Sequence, residues 1–227
     1  MGVFALPYMF TNYEDCYKLI DQNWDEINKR MIAESGNMAV GWLVQGFRVL
    51  SNSKRPINTI EDLKGLKIRV PNNPIMIGVY RAWGTDPVPM AMDETFNALQ
   101  QKVVYGQENP YPVFASNKFE EVQKYITDIH YMLWVAPILV SERWFAKLDP
   151  DTRELFVRAA REAAEYEWKW SEEEDAKALQ QCIDGGMVIG TVSDEDKWAE
   201  KARSVWPKFY DTVGGKQFVD QALEAMK

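Results

Sequence analysis

The sequence has few of the residues that most catalytic and metal sites require. Among its 227 residues there is one histidine, His130, and there are two cysteines, Cys16 and Cys182. A multi-histidine metal centre is therefore excluded, and the wide separation of the cysteines excludes the close spacing of zinc and redox motifs. The two cysteines form either one disulfide or two buried thiols, and the sequence leaves both alternatives open.

Long apolar runs and an excess of positive charge are also missing. No apolar run approaches the ~20 residues that span a bilayer, and the formal net charge is −8. Because nucleic-acid surfaces need clustered Lys and Arg, this charge argues against a nucleic-acid partner. It does not exclude a small anionic ligand, since one arginine can outweigh a weak and diffuse field.

Common catalytic and nucleotide-binding motifs are absent. The sequence contains no G-x-S-x-G, H-E-x-x-H, P-loop or G-x-G-x-x-G pattern. The acidic run SEEED, at 171–175, is typical of a solvated helix face. His130 lies within a long apolar run, where a lone histidine is more often a core residue than a ligand contact or a catalytic base. We therefore expect neither a cofactor nor a bound metal.

Strand and helix patterns alternate along the chain, which predicts an α/β fold with largely parallel sheets. The opening VFALP, at 3–7, indicates the edge of a buried strand. Ser116 is predicted to begin a helix through Lys124. The apolar run at 125–140 is unusually long for one strand and can cross from one sheet to another.

The second half of the sequence predicts a long helix followed by a strand and a last helix. Asp149 and Pro150 provide an N-cap and a first-turn proline, and the helix can continue to Gly185. Apolar residues recur along it at threes and fours, which indicates an amphipathic stripe: Phe156, Ala159, Ala163, Tyr166 and Trp170. Ser193 is predicted to cap the last helix, which carries Trp198.

Two predicted strands each carry an arginine that suits anion binding. Arg48 lies in GFRVL, and Arg69 lies in LKGLKIRVPNN, where Pro71 ends the strand. A guanidinium is planar, always charged, and grips a carboxylate through two parallel hydrogen bonds. Asn109 ends the strand VVYGQEN, and ligands of open α/β sheets favour such ends. Each feature alone is a weak signal, because an arginine in a half-exposed strand is more often solvated than bound to a ligand.

Three longer blocks give these residues a context. They are the segment 51–110, which begins SNSKRPINTIEDLKGLKIRVPNN and ends GQENP, the segment FEEVQKYITDIHYMLW, and the segment LVSERWFAKLDPDTRELFVRAAREAAEYEW. In content and order these blocks resemble the substrate-binding proteins of TRAP transporters, the DctP type. The resemblance covers essentially the whole chain.

The resemblance implies a two-domain periplasmic-binding-protein fold of the Venus-flytrap kind, in which domains close on a carboxylate ligand by hinge bending. It places residues 1–46 and 135–175 in the first domain and residues 47–134 and 176–227 in the second. The long strand and the long helix would then cross between the domains. Family members carry further first-domain strands before the point where VFALP stands, so we expect the first domain to be incomplete at its N-terminus.

The resemblance also implies a function and a set of site residues. The chain would be a periplasmic receptor and not an enzyme, and it would deliver a small organic acid to a sodium-coupled membrane permease. Arg69 matches the carboxylate-binding arginine of the family, and the other expected ligand-binding residues are Asn109, Arg48, Met92, Asn73 and His130. Tyr105 and Lys102 depart from the family pattern beside Asn109, which makes the acid's identity less certain.

Two alternative functions remain open. One is a periplasmic enzyme acting on a small organic acid, with His130 as its acid or base. Another is a structural module that binds only protein. Self-association is a further expectation, because a first domain without its opening strands would expose sheet edges and apolar surface. Whether the acid carries one carboxylate or two is not determined by the sequence.

Overall fold

The computed structural model describes residues 2–226 and has one six-stranded mixed sheet with helices on both faces. The strands are β1 Asn37–Asn52, β2 Lys67–Val70, β3 Asp86–Pro89, β4 Gly106–Asn109, β5 Tyr125–Ser141 and β6 Val188–Gly190. The helices are α1 Tyr13–Gln22, α2 Trp24–Ser35, α3 Pro74–Ala82, α4 Met92–Gln100, α5 Tyr111–Ser116, α6 Glu142–Phe145, α7 Pro150–Asp184, α8 Glu195–Arg203 and α9 Lys216–Ala225. Within the described part of the chain, no helix combines the length and apolarity needed to cross a membrane.

The sheet is built around two long antiparallel strands, and the strand order is β3-β2-β4-β1-β5-β6. Strand β1 pairs antiparallel with β5 over most of its length and with β4 at its C-terminal end. Three of the five strand pairs in the described residues, β2–β3, β2–β4 and β5–β6, are parallel, but these pairs are short. The sheet is therefore mixed and not largely parallel as expected, because periodicity predicts strands but does not reveal their pairing partners.

Apolar residues cover both faces of this sheet. Val49 and Leu50 are neighbours on β1, so their side chains point to opposite faces, and each belongs to a different buried cluster. One cluster packs α1, α2, α3, α8 and α9 against the sheet, and the other packs α4, α5 and the end of α7. Both faces are thus covered by helices, which leaves the strand ends as the place for a ligand.

The long helix begins where the sequence predicts. Asp149 is its N-cap and accepts a hydrogen bond from the Thr152 amide at 2.9 Å, and Pro150 is its first residue. Its apolar stripe, however, was predicted on the wrong face. Tyr166 is 72% exposed, and Phe156 and Trp170 are exposed as well.

Small residues occupy the buried face of α7 instead. The helix packs closely on β1, where a Cβ atom at Gly41 would lie 2.9 Å from the carbonyl oxygen of Ala160. Ala160, Ala164 and Ala178 are buried along this face. Close packing of helix backbone on strand backbone leaves no room there for aromatic side chains.

Three local predictions also differ from the structure. The segment Gly2–Ala5 is a 3-10 helix and not a strand, although Val3 and Phe4 are buried as expected. Ser116 ends α5 rather than beginning a helix. Lys118 follows shortly after in a left-handed conformation with φ of 54°, which prevents the helix from continuing. A further helix, α9, follows the one that was expected to be last.

Candidate functional site

A cavity of about 500 Å³ lies at the ends of β2 and β4, beside the middle of β1 and β5. This volume suits a small organic ligand. Its lining is Phe4, Ala5, Gln45, Arg48, Arg69, Pro71, Asn73, Met76, Met92, Asn109, Val113, Met132, Leu133, Trp134 and Val135. Five of the six residues expected to bind a ligand therefore lie around one cavity.

Arg69 is held at this cavity by the sheet. It lies on β2, which is paired with β3 on one side and β4 on the other. Its Nε and Nη2 atoms donate to the carbonyl oxygen of Met90 at 3.0 and 2.8 Å. The residue is 3% exposed, and it makes no ion pair with any carboxylate among residues 2–226. Burial lowers the pKa of this guanidinium below its usual value.

Arg48 lies at the same cavity but already has a partner. Its Nε and Nη2 atoms donate to the two carboxylate oxygens of Glu108 at 2.5 and 2.9 Å, which is the bidentate geometry of a strong ion pair. Tyr131 donates its hydroxyl to the same carboxylate at 2.6 Å. Burial lowers the pKa of Arg48, but the charge and hydrogen bonds of Glu108 outweigh burial and raise it above its usual value.

The register of β1 and β4 explains this ion pair. Leu50 faces Glu108 and Val49 faces Asn109 across the antiparallel pair, so Arg48 on β1 reaches the end of β4. The strands approach closely because residue 106 is glycine, where a Cβ atom would collide with the carbonyl oxygen of Ser51.

Asn109 is oriented by a network of hydrogen bonds. Its Oδ1 atom accepts from Arg48 Nη2 at 3.0 Å, and its Nδ2 atom donates to Gln107 Oε1 at 2.7 Å. Gln107 in turn donates to the hydroxyl of Ser51 at 3.0 Å. The Sδ atom of Met92 lies 3.8 Å from Asn109 Nδ2. A buried amide held in this way presents a fixed polar edge to the cavity.

Asn73 and Met92 reach the cavity from the first turns of two helices. Asn73 is the N-cap of α3, and its Oδ1 atom accepts from the amides of Ile75 and Met76 at 2.9 and 3.3 Å. Its Nδ2 atom has no protein acceptor within the described residues. Met92 begins α4, directly after the loop whose Met90 carbonyl holds Arg69.

His130 lies outside this cavity. Its side chain is half exposed, with Nε2 3.6 Å from Asp128 Oδ1, and its ring packs edge-on against Phe47 at 5.5 Å. Among residues 2–226, no group of three or more His, Cys, Asp and Glu side chains is arranged to hold a metal. The cavity therefore combines fixed hydrogen-bond donors with apolar walls, an arrangement suited to binding an anion.

Sequence reasoning missed Gln45 and Trp134, which line the cavity from the centres of β1 and β5. Gln45 is a polar residue in a mostly buried apolar strand, which is a signal that could have identified it. It precedes Gly46, whose φ of 100° requires glycine and accompanies an irregular register between Val44 and Phe47. Trp134 has no comparable signal, because it lies in a continuous apolar run.

Comparison with known proteins agrees with the family resemblance seen in the sequence. The family model described as "Bacterial extracellular solute-binding protein, family 7", or DctP, matches residues 1–212. A solute-binding protein of Verminephrobacter eiseniae is 33% identical over 99% of this chain and 66% of its own length. The chain spans about half to two thirds of the length of the first curated relatives that it matches.

The fold is shared with solved structures of other proteins. A TRAP periplasmic solute-binding protein from Rhodobacter sphaeroides is 45% identical with a TM-score of 0.88, and the match covers 99% of this chain and 74% of that one. The sugar acid binding protein of Advenella mimigardefordensis, in complex with galactonate, is 29% identical with a TM-score of 0.90 over 99% of this chain and 73% of that one. The chain therefore has the periplasmic-binding-protein fold that these two-domain proteins share.

Proposed function

Because the chain belongs to family 7 of the bacterial extracellular solute-binding proteins, the DctP family, we propose that it is the substrate-binding receptor of a TRAP transporter. It captures a small organic acid through the carboxylate and delivers it to a sodium-coupled membrane permease. The family is extracytoplasmic, which places the chain in the periplasm. Its relatives are solute-binding proteins and not enzymes, so the alternative of an enzyme that uses His130 is not supported.

One observation carries this proposal: Arg69 is a buried cation at a cavity, with no carboxylate partner among residues 2–226. A buried charge is costly unless it is paired. A bound carboxylate would supply the missing charge and would reverse the effect of burial on the Arg69 pKa. The Met90 carbonyl already holds the guanidinium in position, so little further freedom is lost when the ligand binds.

The cavity lining and one solved structure with the same fold indicate the class of ligand. The Advenella protein is named for sugar acids and contains galactonate. Here the amides of Asn73 and Asn109 line the same cavity as Arg69, where they can bond to hydroxyl or carbonyl oxygens. We propose that a hydroxylated organic acid binds with its carboxylate on Arg69.

Calorimetry of Arg69→Lys tests this role. The chain is titrated with a panel of organic acids that begins with D-galactonate, and we expect the substitution to weaken binding by about 1–3 kcal/mol, because lysine cannot reproduce the bidentate fork. Arg81→Lys, an exposed arginine on α3, is the matched control and should bind as the parent does. An affinity of Arg69→Lys within about twofold of the parent, well under 1.4 kcal/mol, would contradict the proposal.

We also propose that residues 1–46 and 135–175 move against residues 47–134 and 176–227 when the ligand binds. The irregular register of β1 near Gly46 supports a hinge at this position. Small-angle scattering with and without the acid tests this domain movement, and an unchanged radius of gyration at saturation would contradict it.

Self-association stays a prediction, and light scattering of the purified chain tests it.

A further inference from the structure

The two arginines at the cavity are not equivalent cations. Arg48 is neutralised by Glu108 through a bidentate ion pair, whereas Arg69 has only the carbonyl oxygen of Met90. No Lys and no Asp or Glu lines this cavity among residues 2–226, and the adjoining cavity that shares Arg69 adds only an acidic residue, Glu94. Because the charges of Arg48 and Glu108 cancel, Arg69 is the one uncompensated cation among the described residues that line this cavity.

A ligand cannot easily recruit Arg48. Glu108 is fully buried and accepts hydrogen bonds from both Arg48 and Tyr131. Arg48 also donates to the backbone oxygen of Glu108 and to Asn109 at 3.2 and 3.0 Å. Moving the guanidinium toward a ligand would leave the Glu108 carboxylate buried without its counter-charge, which is strongly unfavourable.

The other polar groups at the cavity are neutral amides. Gln45 makes no side-chain hydrogen bond within residues 2–226, and Asn73 has a free Nδ2 donor there. Neutral amides bond well to hydroxyl and carbonyl oxygens but do not compensate a second negative charge. The remaining walls are apolar, and Met76, Met132 and Val135 are among them.

We propose that Glu108 sets the charge selectivity of the site, so that the receptor binds a monocarboxylate bearing hydroxyl or carbonyl groups and discriminates against dicarboxylates. This inference rests on the proposed function, since it concerns the ligand that Arg69 holds. The second carboxylate of a dicarboxylate would lose its hydration without gaining a cation as partner. The free-energy cost of this desolvation would weaken binding.

Matched acid pairs test the inference in the unaltered chain. Calorimetry compares D-galactonate with galactarate, D-gluconate with D-glucarate, and L-threonate with L-tartrate, pairs that differ only in whether the terminal carbon is an alcohol or a carboxylate. We expect each monocarboxylate that binds to bind at least about tenfold more tightly than its partner. Equal or tighter binding of the dicarboxylates overturns the inference and leaves the receptor function intact. Failure of every acid to bind overturns the proposed function, and the inference with it.

Glu108→Gln tests the residue itself. The amide keeps the shape of the carboxylate but removes its charge, which frees Arg48 as a second cation, so the preference for monocarboxylates should fall by at least about tenfold. Glu121→Gln is the matched control, because it removes an exposed carboxylate that does not line the cavity, and it should leave the preference unchanged. An unchanged preference in a folded Glu108→Gln protein overturns the role of Glu108. If circular dichroism shows that this variant is unfolded, the matched acid pairs decide the inference.

Discussion

Arg48 and Arg69 are both buried beside one cavity, yet their pKa values move in opposite directions. Burial lowers both values, but only Arg48 has a carboxylate close enough to reverse the effect. The same residue type therefore serves two purposes. The ion pair of Arg48 with Glu108 stabilises the end of β4. Arg69 has no such partner, so its charge is available to the carboxylate of a ligand.

Asp175 on α7 is a second uncompensated charge, and it gives a pH-dependent prediction. Its Oδ1 atom is buried with no hydrogen-bond partner among residues 2–226. Burial raises its pKa from 3.8 to about 6, with His130 lowering it and Asp128 raising it. The folded state thus binds this proton more tightly than the unfolded chain, so stability is lost as pH rises from 3.8 through about 6.

We therefore expect Asp175→Asn to stabilise the protein by about 1 kcal/mol at alkaline pH and to have little effect at acid pH. One pKa unit corresponds to about 1.4 kcal/mol, and partial exposure of the carboxylate to solvent reduces the gain. Urea unfolding on both sides of the transition measures it. Glu173→Gln, an exposed carboxylate of the same helix, is the control. A gain at acid pH that is as large as the gain at alkaline pH would contradict this account.

At the scale of elements, α7 completes the backbone hydrogen bonding of β1. Glu167 accepts from the Val44 amide at 3.1 Å, and the Trp168 indole donates to the Trp42 carbonyl at 2.7 Å. These backbone groups lie on the part of β1 whose other edge pairs with β5. Side chains of a helix therefore satisfy backbone groups that strands usually satisfy, because buried backbone polar groups must find partners.

Trp168→Phe tests this contact. The substitution keeps an aromatic ring but removes the donor, which leaves the Trp42 carbonyl without that partner, and we expect a loss of about 1–3 kcal/mol in the free energy of unfolding. Trp170→Phe is the matched control two residues away, where the side chain is 47% exposed, and it should change stability by less than about 0.5 kcal/mol. Equal losses in the two variants would show that the indole hydrogen bond contributes nothing.

At the scale of the whole molecule, the two largest buried clusters cover opposite faces of the sheet, and each contains one cysteine. Cys16 belongs to the cluster with α1 and α2, and Cys182 belongs to the cluster with α4 and α5. Both are free and buried. Burial raises the pKa of the Cys182 thiol to about 11 and raises that of Cys16 still further. Of the two alternatives that the sequence left open, the structure therefore has two buried thiols.

This arrangement predicts the chemical behaviour of the thiols. Neither thiol should react with a colorimetric disulfide reagent in the native protein, because both are protonated and inaccessible, and both should react once the protein is unfolded. A reductant should leave the melting temperature unchanged. Rapid labelling of the native chain, or a melting temperature that falls with reductant, would contradict the separation of the two cysteines.

Local signals in the sequence predicted several parts of this molecule. The Asp149 cap and Pro150 located the start of α7, and the long apolar run located β5, because capping and β-branched runs act within a few residues. The family resemblance was confirmed. Five residues that the sequence singled out do line one cavity, while their role in binding stays a prediction.

Contacts between distant segments could not be predicted in this way. The aromatic residues of α7 formed a convincing stripe by periodicity, but close backbone packing at Gly41 selected the alanine face instead. Periodicity specifies that a helix has an apolar side, and the neighbouring element decides which side is buried.

The sequence by itself determined the family, the long helix and strand, and the presence of two arginines suited to an anion, because these depend on local patterns and on the order of recognisable blocks. Only the tertiary structure decided which arginine is free. Arg48 and Glu108 are 60 residues apart and meet through the antiparallel register of β1 and β4. Charge compensation depends on distance in space, so the difference between a paired Arg48 and an unpaired Arg69 exists only in the folded chain.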